Sequence, residues 1–389
     1  MAGIRIKLEN VGRVVVKVGT RVLTGPDNRI AAERIGELAA QVMKLDRRGI
    51  RTVIVSSGAV GAGMGKLGLE RYPRIIPDRQ AAAAVGQVEL MKIWEDAFAT
   101  FGRQVGQVLV TAEDLQSRYR YVNLQNTFES LLRMGVVPVV NENDSVAVRE
   151  LKYGDNDALS VRVAGTVAAK LLVLLTVPDG LYSANPLKDP SARRLSVVDE
   201  VTAEITRTTR GKGSEVSIGG MRSKIEAADL ATRAGCYCVI ATGVAPDLEG
   251  IVDGKDIGTL FLPRADGFRR RKHWIAFTGR TRGRLLVDEG ARTALERRGK
   301  SLLSSGVKGI IGSFEAGDVV DIALGAAGDA FARGVTSYAA EDLERIKGLH
   351  SSQIEKILGH DGPEEVIHKD NLVLLNAADR EDSGRRDER

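Results

Sequence analysis

Two lysines in the sequence could contribute positive charge to an anion-binding site. Lys17 lies within the valine-rich run VVVKVG, which is typical of a buried strand. Lys224 lies about one turn into the amphipathic segment GGMRSKIEAADLATRAG, which begins with Gly219 and Gly220. Free backbone amides at a helix start favour phosphate, and Lys224 is near enough to reach the same anion. From the local sequence alone, an edge-strand position stays open for Lys17, and a solvated position is expected for Lys224.

A cluster of acidic and amide residues follows another valine-rich run. VVPVVNENDSVA leads into residues 141–144, and ELKYGDNDALS adds Asp155, Asn156 and Asp157. Such residues are common in turns, and DNDALSVRVAGT does not have the ligand spacing of an EF-hand. The cluster suits the capture of an ammonium group. Together with the two lysines it predicts phosphoryl transfer to a small amino acid, and a carboxylate acceptor would need no general base.

The stretch VIVSSGAVGAGMGKLG, residues 53–68, contains two nucleotide-binding patterns that fail in detail. The pattern G-x-G-x-x-G begins at Gly63, beyond the strand-to-helix turn where a dinucleotide site requires it. Lys66 is followed by leucine, where a P-loop has serine or threonine. We therefore expect these glycines to serve helix and loop structure. The preceding SSGA, with Ser57, is expected to contact the ligand.

The composition predicts a soluble globular protein with two domains. The chain has 389 residues, of which 43% are hydrophobic and 28% charged. No apolar run approaches a membrane span, and the first residues lack a signal-peptide pattern, so we expect a cytoplasmic protein without a membrane partner. The net charge of +5 fits anionic ligands but is not diagnostic of nucleic-acid binding. Cys236 and Cys238 are expected to be buried and reduced, and no zinc site is predicted.

Alternating strand and helix patterns predict an α/β fold up to about residue 262. Six short β-branched runs are apolar on both faces, and amphipathic segments ending in glycine lie between them. This alternation predicts a three-layer sandwich around a mostly parallel sheet. In such sheets ligands bind beyond the carboxyl ends of the strands, where the polar clusters above are found.

The pattern changes near residue 265. A charged connection, PRADGFRRRKHWIAF, is followed by short strand-like runs with glycine turns. We predict a first domain over residues 1–265, a linker over 266–279 and a small β-rich domain over 280–360. Residues 361–389 are predicted to form a C-terminal tail whose end is disordered.

The motifs described above together resemble those of the amino acid kinase family. The resemblance covers about residues 12–262, and residues 273–359 are similar to the PUA domain attached to many bacterial members. It implies the amino acid kinase fold, followed by a PUA domain. It also implies ATP-dependent phosphorylation of the γ-carboxylate of L-glutamate, giving γ-glutamyl phosphate in the first step of proline biosynthesis. The motifs are VVVKVGTRVLTG, VIVSSGAVGAG, VVPVVNENDSVA, YGDNDALS, LLTVPDGLYSANP and GGMRSKIEAADLATRAG.

The resemblance implies roles for individual residues. Lys17 and Lys224 would steady the phosphoryl group, and Asp157 would hold both lysines. Glutamate would be bound by Ser57, Asp144 and Asn156, with Asp155 supporting the pocket. Gly19, Gly58, Gly219 and Gly220 would present amides to phosphates, and Mg2+ would bridge the β- and γ-oxygens of ATP. The ATP-binding set is Lys17, Gly19, Thr176, Val177, Ile218, Gly219, Gly220, Met221, Arg222, Ser223 and Lys224.

Two positions depart from the family pattern on the nucleotide side. Val177 stands where aspartate is usual, and Ile218 stands where threonine is usual. ATP contacts at these positions are therefore limited to backbone or apolar ones. The phosphoryl-transfer residues are intact.

Alternatives stay open within the fold and outside it. Acetylglutamate kinase, aspartokinase and UMP kinase share the fold, although an N-acetylated substrate has no ammonium group for the acidic cluster. A PUA domain can bind RNA, and the basic residues 269–272 are compatible with that, but a solvated linker is the favoured interpretation. The resemblance further implies proline as an inhibitor and a homo-oligomer, a dimer or tetramer. Handover of the product to glutamate-5-semialdehyde dehydrogenase is a further expectation.

Overall fold

The chain divides into two compact units, Met1–Gly267 and Phe268–Arg389, in the computed structural model. The predicted linker, with its basic residues 269–272, lies outside the described residues, as does the chain after residue 375. The structure describes residues 10–25, 30–116, 118–146, 156–186, 189–202, 220–264, 281–325, 328–359 and 363–375, together with Leu8 and Ile205.

An eight-stranded sheet forms the centre of the first unit. Its strands are β1 (Arg13–Val18), β2 (Arg51–Ser56), β3 (Val105–Val110), β4 (Val137–Glu142), β5 (Leu171–Thr176), β6 (Val197–Val198), β7 (Tyr237–Thr242) and β8 (Thr259–Phe261). The strand order is β3-β4-β2-β1-β5-β7-β8-β6. Neighbouring strands pair in parallel, except for the antiparallel pair β7 and β8.

Helices connect these strands and cover both faces of the sheet. They are α1 (Thr20–Leu23), α2 (Ala32–Arg47), α3 (Ala59–Leu67), α4 (Ile76–Ala99), α5 (Ala112–Gln116), α6 (Arg118–Arg133), α7 (Asn156–Thr166), α8 (Met221–Arg233) and α9 (Leu248–Val252).

The two faces of the sheet pack into separate core clusters. On β1, Val14 and Val16 belong to the cluster formed with α2 and α4, whereas Val15 belongs to the cluster formed with α6, α7 and α8. Strand residues alternate between faces, so a strand covered on both sides must be apolar throughout. This arrangement confirms the predicted three-layer, mostly parallel sandwich.

Helices α3 and α4 pack in direct backbone contact through two glycines. A Cβ atom added at Gly63 would lie 1.7 Å from the backbone oxygen of Ala82. One added at Gly86 would lie 1.8 Å from the backbone oxygen of Ala59. Gly63, which begins the G-x-G-x-x-G pattern, thus permits close helix packing, and Gly68, with φ of 67°, ends α3.

The second unit is a small β-rich domain. Its strands are β9 (Thr281–Val287), β10 (Leu302–Leu303), β11 (Val307–Gly312), β12 (Val319–Leu324), β13 (Ala330–Val335), β14 (Glu365–Ile367) and β15 (Leu372–Leu374). Its helices are α10 (Glu289–Arg298), α11 (Ala340–Ile346) and α12 (Ile354–Leu358), with 3-10 turns at Ser304–Gly306, Ser351–Gln353 and Lys369–Asn371. The sheets are ordered β11-β9-β12-β13-β15 and β10-β14.

The sheet of the second unit extends beyond residue 360, the predicted end of this domain. Strand β15 pairs antiparallel with β13. Its three residues are too few to be recognised by periodicity, so the sequence pattern stops short of it.

A buried ion pair joins two strands of this sheet. Arg333 Nε on β13 lies 2.8 Å from Asp321 Oδ1 on β12.

No helix in the described part of the chain is long and apolar enough to cross a membrane.

Candidate active site

Two lysines from distant parts of the first unit bind the same carboxylate. Lys17 Nζ lies 2.6 Å from Asp157 Oδ1, and Lys224 Nζ lies 3.0 Å from Asp157 Oδ2. The exposed fraction of the three side chains is 2% for Lys17, 5% for Lys224 and 0% for Asp157. The structure therefore brings together the three residues that the sequence analysis assigns to phosphoryl transfer.

The end of a secondary-structure element positions each of these side chains. Lys17 is the last but one residue of β1 and is paired with Leu174 of β5. Asp157 lies in the first turn of α7, and Lys224 lies in the first turn of α8. Helices α7 and α8 pack against each other, which brings the carboxylate and the second lysine together.

The structure excludes the edge-strand alternative for Lys17 and shows that the local expectation for Lys224 is wrong. β1 lies between β2 and β5, so Lys17 is not on an edge strand. Lys224 is buried, so it is not a solvated helix lysine. Burying an ammonium group is costly unless a counter-charge accompanies it, and Asp157 supplies that charge from another helix. The sequence around either lysine does not contain this partner.

The charge of this cluster suits an anionic ligand. Two ammonium groups and one carboxylate carry a net positive formal charge. Because the cluster is buried, its field acts with little screening by water. Such an arrangement can stabilise a transferring phosphoryl group, whose charge is spread over its outer oxygens.

A row of hydrogen-bonded side chains joins the neighbouring strand ends. Asn156, the first residue of α7, places its Nδ2 atom 2.7 Å from the backbone oxygen of Ser56. The same atom lies 3.0 Å from Ser57 Oγ and 2.9 Å from Asn141 Oδ1. Asn156 therefore ties the ends of β2 and β4 to the helix that carries Asp157.

The other residues predicted to bind glutamate are described only in part. Asp144 is half-buried in the turn after β4. β4 includes Asn141 and Glu142, so the acid-amide cluster begins inside the strand rather than after it. Asp155 lies outside the described residues. The structure thus brings Ser57 and Asn156 into contact, and the role of Asp144 stays a prediction.

The two glycines at the ends of β1 and β2 differ in what their backbones do. Gly58 is the N-cap of α3 and has φ of 99°, a left-handed conformation that suits glycine. The amide of Gly19 donates a hydrogen bond to the backbone oxygen of Leu175 at 3.3 Å. This amide is engaged at the end of the β1–β5 pairing, and a role for Gly19 toward ATP stays a prediction.

The predicted ATP side includes the end of β5 and the start of α8. The backbone oxygen of Thr176 accepts a hydrogen bond from the amide of Gly243 at 2.8 Å. The Val177 side chain is 48% exposed, and Met221 is half-buried. Gly220 is the N-cap of α8 and has an extended backbone. Ile218 and Gly219 lie outside the described residues.

Two side chains at the start of α8 make contacts within the protein. Arg222 Nε donates to Glu226 Oε1 at 2.7 Å, one turn along the exposed face of the helix. Ser223 Oγ lies 2.9 Å from Asp157 Oδ2 and 2.9 Å from the backbone oxygen of Gly220. Ser223 therefore helps to hold the carboxylate that binds both lysines.

Helix α4 contributes two polar side chains that the sequence analysis missed. Gln87 Oε1 accepts a hydrogen bond from Asn141 Nδ2 at 2.9 Å. Trp94 Nε1 donates to Ser56 Oγ at 3.2 Å. The signal for Gln87 is a polar residue at a buried position of a mostly apolar helix face, which points to a partner inside the fold.

Both cysteines lie in the core of the first unit and are free. Burial raises the pKa of the Cys236 thiol to about 12. Burial also raises the pKa of Cys238 well above its ordinary value, and the charges of Cys236 and Asp157 raise it further. Both are buried, as predicted, and their raised pKa values make them poor nucleophiles. Within the described ranges, no group of three or more His, Cys, Asp or Glu residues could hold a metal ion.

Sequence comparison identifies both domains. The sequence model of the amino acid kinase family matches residues 12–242, and that of the PUA domain matches residues 283–358. The first match covers more than half of the chain and includes both lysines and Asp157. The chain therefore belongs to the amino acid kinase family, with a PUA domain after the kinase domain.

Individual relatives narrow this class. A glutamate 5-kinase of Syntrophotalea carbinolica is 47% identical over 368 residues, covering 94% of this chain and 98% of the relative. A glutamate 5-kinase of Citrifermentans bemidjiense is 47% identical over 369 residues, covering 95% of this chain and 99% of the relative. The carbamate kinase of Giardia lamblia, solved with AMP-PNP bound, is 15% identical with a TM-score of 0.47, covering 65% of this chain and 99% of that one. The chain is an enzyme, a phosphotransferase, and its sequence groups it with the relatives named glutamate 5-kinase.

Proposed function

We propose that this enzyme transfers the γ-phosphoryl group of ATP to the γ-carboxylate of L-glutamate. The observation that carries the proposal is the buried contact of Lys17 and Lys224 with opposite oxygens of Asp157. The similarity to relatives named glutamate 5-kinase over nearly the whole chain supports the choice of acceptor.

The reaction requires charge stabilisation rather than proton transfer. A γ-carboxylate oxygen of glutamate attacks the γ-phosphorus of ATP, and the bond from that phosphorus to the β,γ-bridging oxygen breaks. The products are γ-glutamyl phosphate and ADP. The acceptor carboxylate is already ionised at neutral pH, so no general base is needed. Lys17 and Lys224 would bring the two anions together and stabilise the charge on the transferring group.

The acceptor would lie at the ends of β2 and β4. Ser57 and Asn156 offer hydroxyl and amide groups there, and they are already joined by a hydrogen bond of 3.0 Å. Asp144 offers a carboxylate for the ammonium group of glutamate, and Asp155 would support the pocket. An amino acid with one ammonium and two carboxylate groups matches this set of donors and acceptors.

ATP would lie on the side of Lys17 away from the proposed glutamate pocket, toward β5 and α8. The two lysines provide positive charge, and the start of α8 at Gly220 provides backbone amides. Both features suit the phosphates of ATP. Mg2+ would be carried by the β- and γ-phosphate oxygens and would neutralise part of their charge.

A hydroxamate assay tests the proposal directly. Purified enzyme incubated with L-glutamate, MgATP and hydroxylamine should form glutamyl hydroxamate, because hydroxylamine captures an acyl phosphate. Aspartate and N-acetylglutamate replace glutamate in parallel hydroxamate reactions, and UMP is tested by release of ADP, because its phosphorylation gives no acyl phosphate. If one of these is phosphorylated and glutamate is ignored, the proposed substrate is wrong.

We further propose that proline inhibits the enzyme at the glutamate site, as expected for the first step of proline biosynthesis. Its ring amine and carboxylate would occupy the polar pocket around Asp144 and Asn156. Asn156→Ala removes an amide that contacts both Ser57 and Asn141. It should therefore raise the KM for glutamate and weaken proline inhibition together. Initial-rate kinetics with and without proline measure both effects, and unchanged values would contradict the shared site.

Two further proposals concern the fate of the product and the assembly of the enzyme. The product is a labile acyl phosphate, so direct handover to glutamate-5-semialdehyde dehydrogenase is proposed. Assembly as a homo-oligomer in the cytoplasm also stays part of the proposal.

A further inference from the structure

Gln87 has a buried hydrogen-bond donor that the protein leaves unused. The residue is 9% exposed and lies on α4. Its Nε2 atom is buried and has no hydrogen-bond partner among the described residues. Leaving a buried donor unsatisfied is costly, so each such group needs an explanation. A ligand that brings an acceptor to this atom would provide one.

Two backbone groups determine the orientation of the amide row that ends at Gln87. Asn156 Nδ2 lies 2.7 Å from the carbonyl oxygen of Ser56, so this end of the Asn156 side chain must be the donor. Asn141 Oδ1 lies 2.9 Å from the amide nitrogen of Glu142, so this end of Asn141 must be the acceptor. Asn141 Nδ2 is then the donor that faces Gln87 at 2.9 Å.

The same constraint applies to Gln87 itself. Because Asn141 presents a donor, Gln87 must present Oε1 to it and direct Nε2 away from it. The unused donor is therefore a consequence of fixed backbone groups and is not an arbitrary choice of amide orientation.

Sheet geometry places Gln87 away from the phosphoryl-transfer lysines. Lys17 shares a face of β1 with Val15, on the side covered by α7 and α8. Asn141 shares a face of β4 with Val139, on the side covered by α4. Strands β1 and β4 are separated by β2, a distance of about 10 Å at the usual strand spacing. An acceptor that contacts both Lys17 and Gln87 must therefore span this separation with its two ends.

We infer that Gln87 Nε2 donates a hydrogen bond to the α-carboxylate of the amino acid acceptor and so contributes to substrate specificity. A neutral N–H donor selects an acceptor, and carboxylate oxygens accept without donating. The ammonium group of the substrate does not fit this position, because it has only donors. The inference rests on the proposed function, since it identifies how the same site binds the non-reacting end of its substrate.

Gln87→Glu tests this assignment, because it keeps an oxygen for Asn141 and replaces only the donor. The substrates are L-glutamate and L-glutamic acid α-amide (isoglutamine), which retains the γ-carboxylate. At alkaline pH, where the buried carboxyl is ionised, the variant should raise the KM for L-glutamate by roughly 10- to 100-fold. The rise for isoglutamine should be much smaller, because its α-amide can donate to the new carboxylate.

Gln107→Glu is the matched control, because Gln107 is exposed on β3 and the substitution changes the charge equally. It should leave both KM values unchanged. Equal increases of both KM values in Gln87→Glu would overturn the inference and assign Gln87 a purely structural role.

A second variant covers the case in which the buried carboxylate of Gln87→Glu prevents the protein from folding. Gln87→Leu removes the donor without adding charge and should reduce the preference of the enzyme for L-glutamate over isoglutamine. Full retention of the wild-type preference would also overturn the inference. If wild-type enzyme forms no acyl phosphate from L-glutamate, the proposed function fails first, and this result is distinct from either variant outcome.

Discussion

Asp157 lets two cations be buried at the candidate site. Each of its oxygens faces a different lysine, at 2.6 and 3.0 Å. Ser223 adds a hydroxyl at 2.9 Å from one of these oxygens. A carboxylate shared in this way compensates part of the cost of burying both ammonium groups. It also restrains both ammonium groups, as their proposed role in phosphoryl transfer requires.

Replacing Lys224 with methionine should lower kcat more than it changes KM. The substitution keeps the apolar stem that fills the buried space but removes the ammonium group. Asp157 keeps Lys17 as a partner, so the fold should persist. Loss of one transition-state charge contact typically costs about two to three orders of magnitude in kcat. Hydroxamate formation under saturating substrates measures this loss.

The control for this prediction is Lys255→Met. Lys255 is an exposed lysine of the same unit and pairs with Asp247 on the surface. Its removal should leave kcat unchanged. A Lys224→Met enzyme with normal kcat and only a raised KM for glutamate would show that Lys224 binds the ground state and does not stabilise transfer.

Individual site residues were predictable only where their motif carries the information. Lys17 and Ser57 lie in strand-end motifs and Asn156 lies in the GDND motif, and the structure brings all three to the carboxyl ends of the strands. Gln87 and Trp94 lie in the interior of a long helix, where an amide or indole can serve packing as well as function. Gln87 is marked locally only as a polar residue on a mostly apolar helix face, and the partners of both residues come from other elements.

The close packing of α3 against α4 connects α3 to the candidate active site. Gly63 and Gly86 allow α3 and α4 to meet at backbone distance. Ser57 and Gly58 directly precede α3, and Gln87 directly follows Gly86 on α4. The spacing of these two helices therefore sets the separation of side chains on both sides of the proposed glutamate pocket.

Gly86→Ala should destabilise the first unit and impair glutamate binding together. The new Cβ would lie 1.8 Å from the backbone oxygen of Ala59, so one helix must shift. Overpacking of this kind costs roughly 1–3 kcal/mol of unfolding free energy. Chemical denaturation measures the stability, and the KM for glutamate should rise because Ser57 and Gln87 move apart.

Gly36→Ala provides the matched comparison in a helix. Gly36 lies inside α2, and an added Cβ would meet no atom within 4 Å. This change should be neutral or stabilising by about 0.5–1 kcal/mol, because alanine is the better helix former. Equal effects of the two substitutions would argue against close packing as the reason for Gly86.

The element pattern was predictable for the central sheet and less so at its margins. Six apolar runs form the six strands β1 to β5 and β7, as predicted. Helix α4 begins at Ile76, before the alanine-rich run that starts at Ala81, because Pro77 is favourable in a first turn. The two-residue strand β6 and the antiparallel strand β8 are too short for their pairing to be read from periodicity.

At the scale of the whole molecule, the reactivity of the cysteine thiols distinguishes the first unit from the second. Both cysteines lie in the core of the first unit, and burial raises the pKa of each. Only the thiolate reacts readily with disulfide reagents, so neither thiol should react in the native enzyme. Thiol reactivity therefore reports on unfolding of the first unit alone.

A denaturant titration with a coloured disulfide reagent tests this expectation. No thiol should react in native buffer. Both should become reactive in a single transition that coincides with loss of activity. Unfolding of the second unit alone should release none. Reaction of either thiol in active enzyme would contradict the buried position of Cys236 and Cys238.

The separation of Lys17 and Lys224 along the chain has a consequence for synthesis. The nascent chain exposes β1 early, but the second lysine emerges only after more than half of the protein has been made. Ribosomes add about 5–20 residues per second, so Lys224 is synthesised several seconds or more after Lys17 and Asp157. Truncated products that end before α8 should therefore lack phosphoryl-transfer activity, even when β1 to β5 have formed. Under the proposed mechanism, the shared carboxylate thus makes catalysis depend on completion of nearly the entire first unit.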